Sequence, residues 1–303
     1  MMKLSKERFK LAEKFIKEKA RALERELFAY YFKGGSKQSV LSELAKYQNI
    51  DGGFGNSLES DSRLMQSSCF MTSVAFQIIS GLKLSSDNEM VKGGIKYLVN
   101  NYNAQFKGWL PFPPEIDEVP RAIWWNYFDN KDNKYNPNPS AEIAGYLAAY
   151  SDLVPMSILS DAIYEALRYI DEHGDSLEMH EIFCYQRLAE FLSGDDKDRV
   201  MKILKQRISA VVELDSEKWS QYTAKPLSFV HNKHDGMVLG ITEEHIDRNL
   251  DFIIEQQSED GSWVPAWQWG RFEQQWESAK QEWQGCITLE NLLLLKSFNR
   301  IEE

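Results

Sequence analysis

The stretch YQNIDGGFG, residues 47–55, ends an apolar helical pattern in a burst of glycine around one aromatic residue. Near the other end of the chain EQQSEDGSWVP, residues 255–265, repeats its order of Gln, Asp-Gly and aromatic. Gln48 matches Gln257, Asp51 matches Asp260, Gly52 matches Gly261 and Phe54 matches Trp263, all at an offset of 209. The device has a physical purpose. Glycine just past a helix end can take the left-handed conformation that closes the last turn. The Asp can hydrogen-bond the turn's own backbone, and the aromatic can plug the space between neighbouring helical hairpins. Gly53 is expected at positive φ in such a turn. A second echo joins AEIAGYL (141–147) to HEIFCYQ (180–186), pairing Glu142 with Glu181, Ile143 with Ile182 and Tyr146 with Tyr185 at an offset of 39.

Working outward, the dominant period is helical. Phe9, Ala12, Phe15, Ile16, Ala20, Leu23 and Leu27 form one apolar stripe at three-or-four spacing, and Ile246, Leu250, Ile253 and Ile254 form another. No run alternates strictly enough to predict a strand, so the chain reads as all-α. The pattern predicts helices near 5–33, 37–49, 66–82, 87–101, 139–151, 157–172, 178–193, 196–213, 221–230, 243–257 and 284–298. Pro226 weakens the ninth of these. Helices with one apolar stripe and many charges, such as 243–257, alternate with helices apolar or small on most sides, such as 66–82 and 284–298. Amphipathic outer helix followed by enclosed inner helix, repeated, predicts a ring of five to six helical hairpins: one α/α toroid domain over residues 1–303.

QNIDGGFG and QSEDGSW resemble the repeat of the terpenoid cyclase and protein prenyltransferase superfamily, which places Gln, then Asp-Gly or Gly-Gly, then Trp or Phe between outer and inner helices of an α/α toroid. Gly108-Trp109 and the region of Trp219 read as degenerate copies. The resemblance implies architecture first. It also implies an isoprenoid-like substrate, but the catalytic motifs differ. GDDKDR, residues 194–199, is the nearest string to the acid motif of class II cyclases, and it falls at a predicted helix start where Asp is favoured anyway. No aspartate-rich magnesium motif is present. Cys286 falls where a prenyltransferase-like zinc ligand would, without the matching Asp two residues earlier; His231 or His234 could complete a site, and a buried structural cysteine is the alternative. No metal or other cofactor is expected.

Bulk properties narrow the partners. The chain has 303 residues, 43% of them hydrophobic, and 35 basic against 46 acidic side chains, a formal charge of -11 without a basic stripe. Nucleic acid is therefore an unfavourable partner. No segment is long and apolar enough to span a bilayer, and the N-terminal pattern is an amphipathic helix rather than a signal peptide. Cys69, Cys184 and Cys286 are far apart and odd in number, which points to reduced thiols and a cytoplasmic protein.

In a ring of hairpins, the outer-to-inner connections share one rim. Segment 50–65 brings Glu59, Asp61 and Arg63 there, segment 102–138 brings Arg121, Trp124 and Trp125, and segment 258–283 brings five tryptophans including Trp267 and Trp269. Long aromatic loops of this kind are usually functional. Glu59, Arg63, Trp124, Trp125, Trp267 and Trp269 are the predicted ligand-binding residues, with the tryptophans only partly enclosed; Trp109, Trp219 and Trp263 are expected to be structural plugs. The first turns of the inner helices supply Glu142, His180 and Glu181, which with Asp61 are the candidate catalytic residues. A Glu in a first helical turn can equally cap the backbone. A small molecule is thus the expected partner, isoprenoid-like or a sugar stacked on tryptophan and held by paired carboxylates. A non-enzymatic module binding a peptide, lipid-like metabolite or protein is the alternative class.

Overall fold

A computed structural model describes residues 1–127 and 134–302. Phe128, Asp129 and Asn130, the end of the aromatic run in the second long loop, lie outside the described residues. The protein is all-α. Among the described residues there are thirteen α-helices and no strand, only isolated bridges. None of these helices is long and apolar enough to cross a membrane.

The chain forms two compact units. Unit 1 comprises residues 1–43 and 208–303, and unit 2 residues 44–207. Unit 1 holds α1 (Lys6–Lys19), α2 (Ala22–Phe32), α10 (Pro226–Phe229), α11 (Lys233–Leu239), α12 (Glu243–Glu255) and α13 (Glu273–Ser297). Unit 2 holds α4 (Cys69–Gly81), α5 (Glu89–Asn100), α6 (Pro137–Ala149), α7 (Met156–His173) and α8 (Met179–Phe191). The chain crosses from one unit to the other within α3 (Lys37–Leu44) and α9 (Gly194–Val211). Side-chain caps start several helices: Ser5 accepts from the Arg8 amide, Ser68 from Met71, Asn88 from Met90 and Thr242 from His245.

The repeated turn is the same device in both units, nearly atom for atom. In unit 2 Gln48 Nε2 donates to the Gly52 carbonyl (2.9 Å) and to the Met90 carbonyl of α5 (3.0 Å). In unit 1 Gln257 Nε2 donates to the Gly261 carbonyl (2.9 Å) and to the Arg8 carbonyl of α1 (3.1 Å). Asp51 accepts from the Gly53 amide and Asp260 from the Ser262 amide, each at 3.0 Å. The aromatic amides then donate to a hydroxyl on the next helix, Phe54 to Thr72 (3.0 Å) and Trp263 to Thr288 (3.1 Å). Trp109 makes the same bond to Ser140 at 3.0 Å, so Gly108-Trp109 is a third copy. The left-handed glycine is Gly52 (φ 88°) or Gly261 (φ 91°), not Gly53. Gly53 is required for space instead: a methyl group on it would lie 2.6 Å from the Tyr97 ring.

The offset-39 echo marks two helices that pack on each other. Helix α6 is buried along almost its whole length and lies chiefly against α8, closely enough that a methyl on Gly145 would stand 3.0 Å from the Leu188 Cα. Such approach interlocks the two cores and leaves little room for a larger residue.

Four expectations need correction. The predicted helix at 5–33 is two helices, because Ala20 and Arg21 are extended. Gly285 of α13 presses there, its missing Cβ leaving only 2.8 Å to the Ala20 methyl. The helix expected at 284–298 begins at Glu273, since Trp276, Ala279 and Trp283 continue its spacing with no glycine or proline to stop it. Its first twelve residues (273–284) extend about 18 Å at 1.5 Å per residue. Of the expected 221–230 helix only Pro226–Phe229 forms, with Pro226 in the first position where its missing N–H costs nothing. Lys233–Leu239, capped by Asn232, was not expected at all.

Candidate functional site

In unit 2 two of the expected rim segments meet. The Arg63 amide donates to the Pro120 carbonyl and the Ala122 amide to the Asp61 carbonyl, both at 2.9 Å. Glu59, Ser60, Asp61 and Ser62 are buried in this seam, and Arg63 is half-buried. Arg121 is spent on its own loop: Nε donates to the Trp125 carbonyl (3.1 Å), Nη1 to the Asp117 and Val119 carbonyls (3.1 Å each), and Nη2 to Asp117 Oδ1 (2.5 Å) and Asn126 Oδ1 (3.0 Å). It organises residues 117–126 and has no N–H left for an anion. Trp125 is half-buried with its ring 4.3 Å from Phe70 and 4.9 Å from Phe112, and its buried Nε1 has no hydrogen-bond partner among the described residues. Trp124 is 42% exposed.

Phe70 opens α4, its amide donating to the Pro111 carbonyl. From it a half-buried face of α4 runs through Val74 to Gln77, at i, i+4 and i+7, about 10 Å along the axis. Gln77 leads to a polar chain. Its Nε2 donates to Glu142 Oε2 of α6 (3.4 Å), and Arg187 Nη1 of α8 donates to the same oxygen (2.8 Å). Glu142 is 2% exposed, whereas the Arg187 side chain is 33% exposed. Glu142 Oε1, and the Nε and Nη2 of Arg187, take part in no hydrogen bond among the described residues. A buried carboxylate thus sits at the floor of a half-open face, with an acceptor oxygen and guanidinium donors uncommitted.

The electrostatics favour a fixed charge pair. Burial works against the charge of Arg187, but Glu142, followed by Tyr146 and Cys184, holds its pKa above the ordinary arginine value. Burial, then Glu142, pushes the Tyr146 hydroxyl and the Cys184 thiol well up, so both stay neutral. His180, Phe183 and Arg187 follow one another at i, i+3 and i+7 on α8, and the His180 and Phe183 rings meet edge to face at 5.8 Å. Burial lowers the His180 pKa, favouring the neutral imidazole.

Glu142 and Glu181 hold matching sequence positions but different roles. Glu181 closes a capping box: its Oε2 accepts from the Glu178 amide (2.8 Å), while the Glu178 side chain accepts in return from the helix. Burial raises its pKa. Glu142 lies near the start of α6, four residues past the non-helical Asn138, and its partners are Gln77 and Arg187. Arg187 and Gln77 were missed from sequence. The only signal for Arg187 was its spacing of seven from His180.

The tryptophan-rich segment belongs to unit 1. Trp269 is 1% exposed and packs 5.9 Å from Trp276, so it is not a partly enclosed rim residue. Trp267 is half-buried, edge to face with Tyr222 (5.6 Å) and Trp283 (5.1 Å), and its buried Nε1 has no partner among the described residues. Trp276 and Trp283 stand on α13 rather than in a loop. Trp109, Trp219 and Trp263 are enclosed, and each indole N–H donates to a backbone carbonyl at 2.7 Å.

Cys286 lies in the interior of α13, not at a helix start. Arg21 Nη2 donates to its sulfur (3.3 Å), and its thiol donates to Glu24 Oε1 (3.5 Å). No group of three or more His, Cys, Asp or Glu side chains among the described residues is placed to hold a metal ion. The acidic string at 194–199 begins α9, with Asp195 and Asp196 exposed in its first turn. No protein-family model matches the chain, and no curated protein matches it.

Proposed function

We propose that the protein binds a small molecule with an apolar body and an oxygen-rich head, placing the body along Phe70, Val74 and Phe183 in unit 2 and the head at Arg187 and Glu142. The observation that carries this is the Gln77–Glu142–Arg187 chain, where a buried carboxylate and an arginine whose side chain is only partly enclosed keep donors and an acceptor free. Buried polar groups with unused hydrogen-bonding capacity are the usual polar anchors of an otherwise apolar site.

Binding is preferred to acid catalysis. Glu142 Oε2 is held by Arg187 and Gln77, and Glu181 is engaged at the start of α8, so neither carboxylate is placed as a free acid. A paired-carboxylate glycosidase therefore has little support, and so does a class II cyclase reaction, whose acid motif is absent.

The resemblance to terpenoid cyclases enters this proposal as architecture. Turn 257–263 docks on α1 as turn 48–54 docks on α5, which supports hairpins continuing one another in an α/α toroid with α1 standing in for the next outer helix. Cytoplasmic residence belongs to the same proposal, supported by three unpaired cysteines. The test is a thermal-shift screen of farnesyl diphosphate, geranylgeraniol, a maltooligosaccharide and an apolar peptide. A concentration-dependent rise in melting temperature with the first, second or third supports the reading; a response confined to the peptide would overturn it in favour of a protein-binding module.

A further inference from the structure

We propose that unit 2 carries a second small-molecule pocket, between α4, α5 and the segment 101–113, which takes a neutral flat heterocycle with a hydrogen-bonding edge, a lactam such as 2-pyridone. The cavity measures about 140 Å³ and is bounded on one side by Leu110, Phe112 and Pro113. An apolar cavity of about 150 Å³ holds a benzene ring, so one six-membered ring fits. Cys69 and Tyr97 complete the wall, and Asn101 and Asn103 stand with them.

Two features select the ligand. None of the lining side chains is charged, and burial holds the Cys69 thiol up at about 12 and the Tyr97 hydroxyl well above its usual value. The lining offers an anion no positive charge, and Asp51 already acts on the Tyr97 hydroxyl. The lining also has unspent hydrogen bonds. Asn101 Nδ2 donates to the Tyr97 carbonyl (2.9 Å), leaving Oδ1 to accept. Asn103 Oδ1 accepts from the Gln105 amide (2.9 Å), leaving its NH2 to donate. A lactam edge, with one N–H and one carbonyl, answers one uncommitted acceptor and one uncommitted donor in the same lining. The apolar faces of such a ring suit Phe112, Leu110 and Pro113.

The test uses the full chain with 2-pyridone, benzene and benzoate, read by saturation-transfer NMR and by the rate at which methyl methanethiosulfonate modifies Cys69. The expectation is saturable binding of 2-pyridone, about tenfold tighter than benzene from one or two added hydrogen bonds, and no binding of benzoate here. Leu110→Trp, which fills the cavity, should abolish the 2-pyridone signal. In the wild type 2-pyridone should slow modification of Cys69 and leave Cys184 and Cys286 unaffected, a readout that holds even if Leu110→Trp does not fold. An undiminished signal in a folded Leu110→Trp protein, or Cys69 modification indifferent to 2-pyridone, would overturn the proposal. So would benzoate competing with 2-pyridone.

Discussion

Gly261→Ala tests the turn on which the reading of the fold rests. Gly261 sits at φ 91°, and a methyl there would stand 2.2 Å from the Leu11 carbonyl carbon and 2.5 Å from the Ala12 nitrogen. Both are backbone atoms of α1, which cannot swing aside as a flexible side chain could. Left-handed backbone in a residue with Cβ costs about 1–2 kcal/mol, and forcing packed backbone apart adds about 1–3 kcal/mol, so the sum is about 2–5 kcal/mol. Gly52→Ala should cost a similar amount, because its methyl would meet the Gly93 carbonyl oxygen at 2.4 Å from a φ of 88°. Gly270 supplies the control. It has φ 68° with nothing within 4 Å of a built methyl, so Gly270→Ala should cost only the backbone term, about 1–2 kcal/mol. The assay is urea denaturation of the three variants against the wild type, comparing midpoints at constant slope. If Gly261→Ala and Gly270→Ala lost equal stability, the docking of the turn on α1 would carry no energy and the reasoning would fail.

Trp109→Phe removes the 2.7 Å bond from Nε1 to the Leu98 carbonyl and should cost about 1–3 kcal/mol beyond lost packing, whereas Trp124→Ala, at a residue 42% exposed, should stay within about 0.5 kcal/mol. The same denaturation assay separates them, and equal losses would contradict the assignment of plug and surface residue. His180 resists protonation because burial, aided by Arg187 and opposed by Glu178, lowers its pKa from 6.5. Its contribution is therefore fully present above about pH 6.5 and is lost on acidification, as the unfolded chain takes up a proton that the folded imidazole refuses. Glu181, raised by burial, has the opposite sign, its contribution being lost as pH rises through its folded value, so the comparison is with His180→Gln. Between pH 7.5 and 5.5, roughly the histidine range, the wild type should lose more stability than that variant, and parallel profiles would count against a buried neutral His180. Elemental analysis should find well under one equivalent of zinc, and a stoichiometric amount would restore a metal role to Cys286.

The class of fold and its repeat were legible because both are local. A stripe at three-or-four spacing marks a helix face wherever it occurs, and Asp-Gly followed by an aromatic specifies a turn within a few residues. The echo of Glu142 and Glu181 likewise marked two neighbouring helices, but not their different roles, since repetition preserves backbone position and not the identity of the partner. Arg187 lies 45 residues from Glu142 and reaches it only because Gly145 lets α8 approach α6 closely. The break after Lys19 was hidden for the same reason: it packs against Gly285, from the far end of the chain. Trp269 misled because an indole suits a plug as well as a binding site, and burial alone distinguishes them.

The most direct test of the binding proposal is isothermal titration of the best-bound member of the screen into the wild type and Glu142→Gln/Arg187→Met. The double substitution replaces both members of the ion pair with neutral groups of similar volume, leaving no unpaired charge beside the buried Glu142 position, and folding is verified by its melting curve. Losing charge-assisted hydrogen bonds worth about 1.5–3 kcal/mol should weaken binding at least about tenfold. Unchanged affinity in a folded double variant would contradict the account and remove Arg187 and Glu142 from the site.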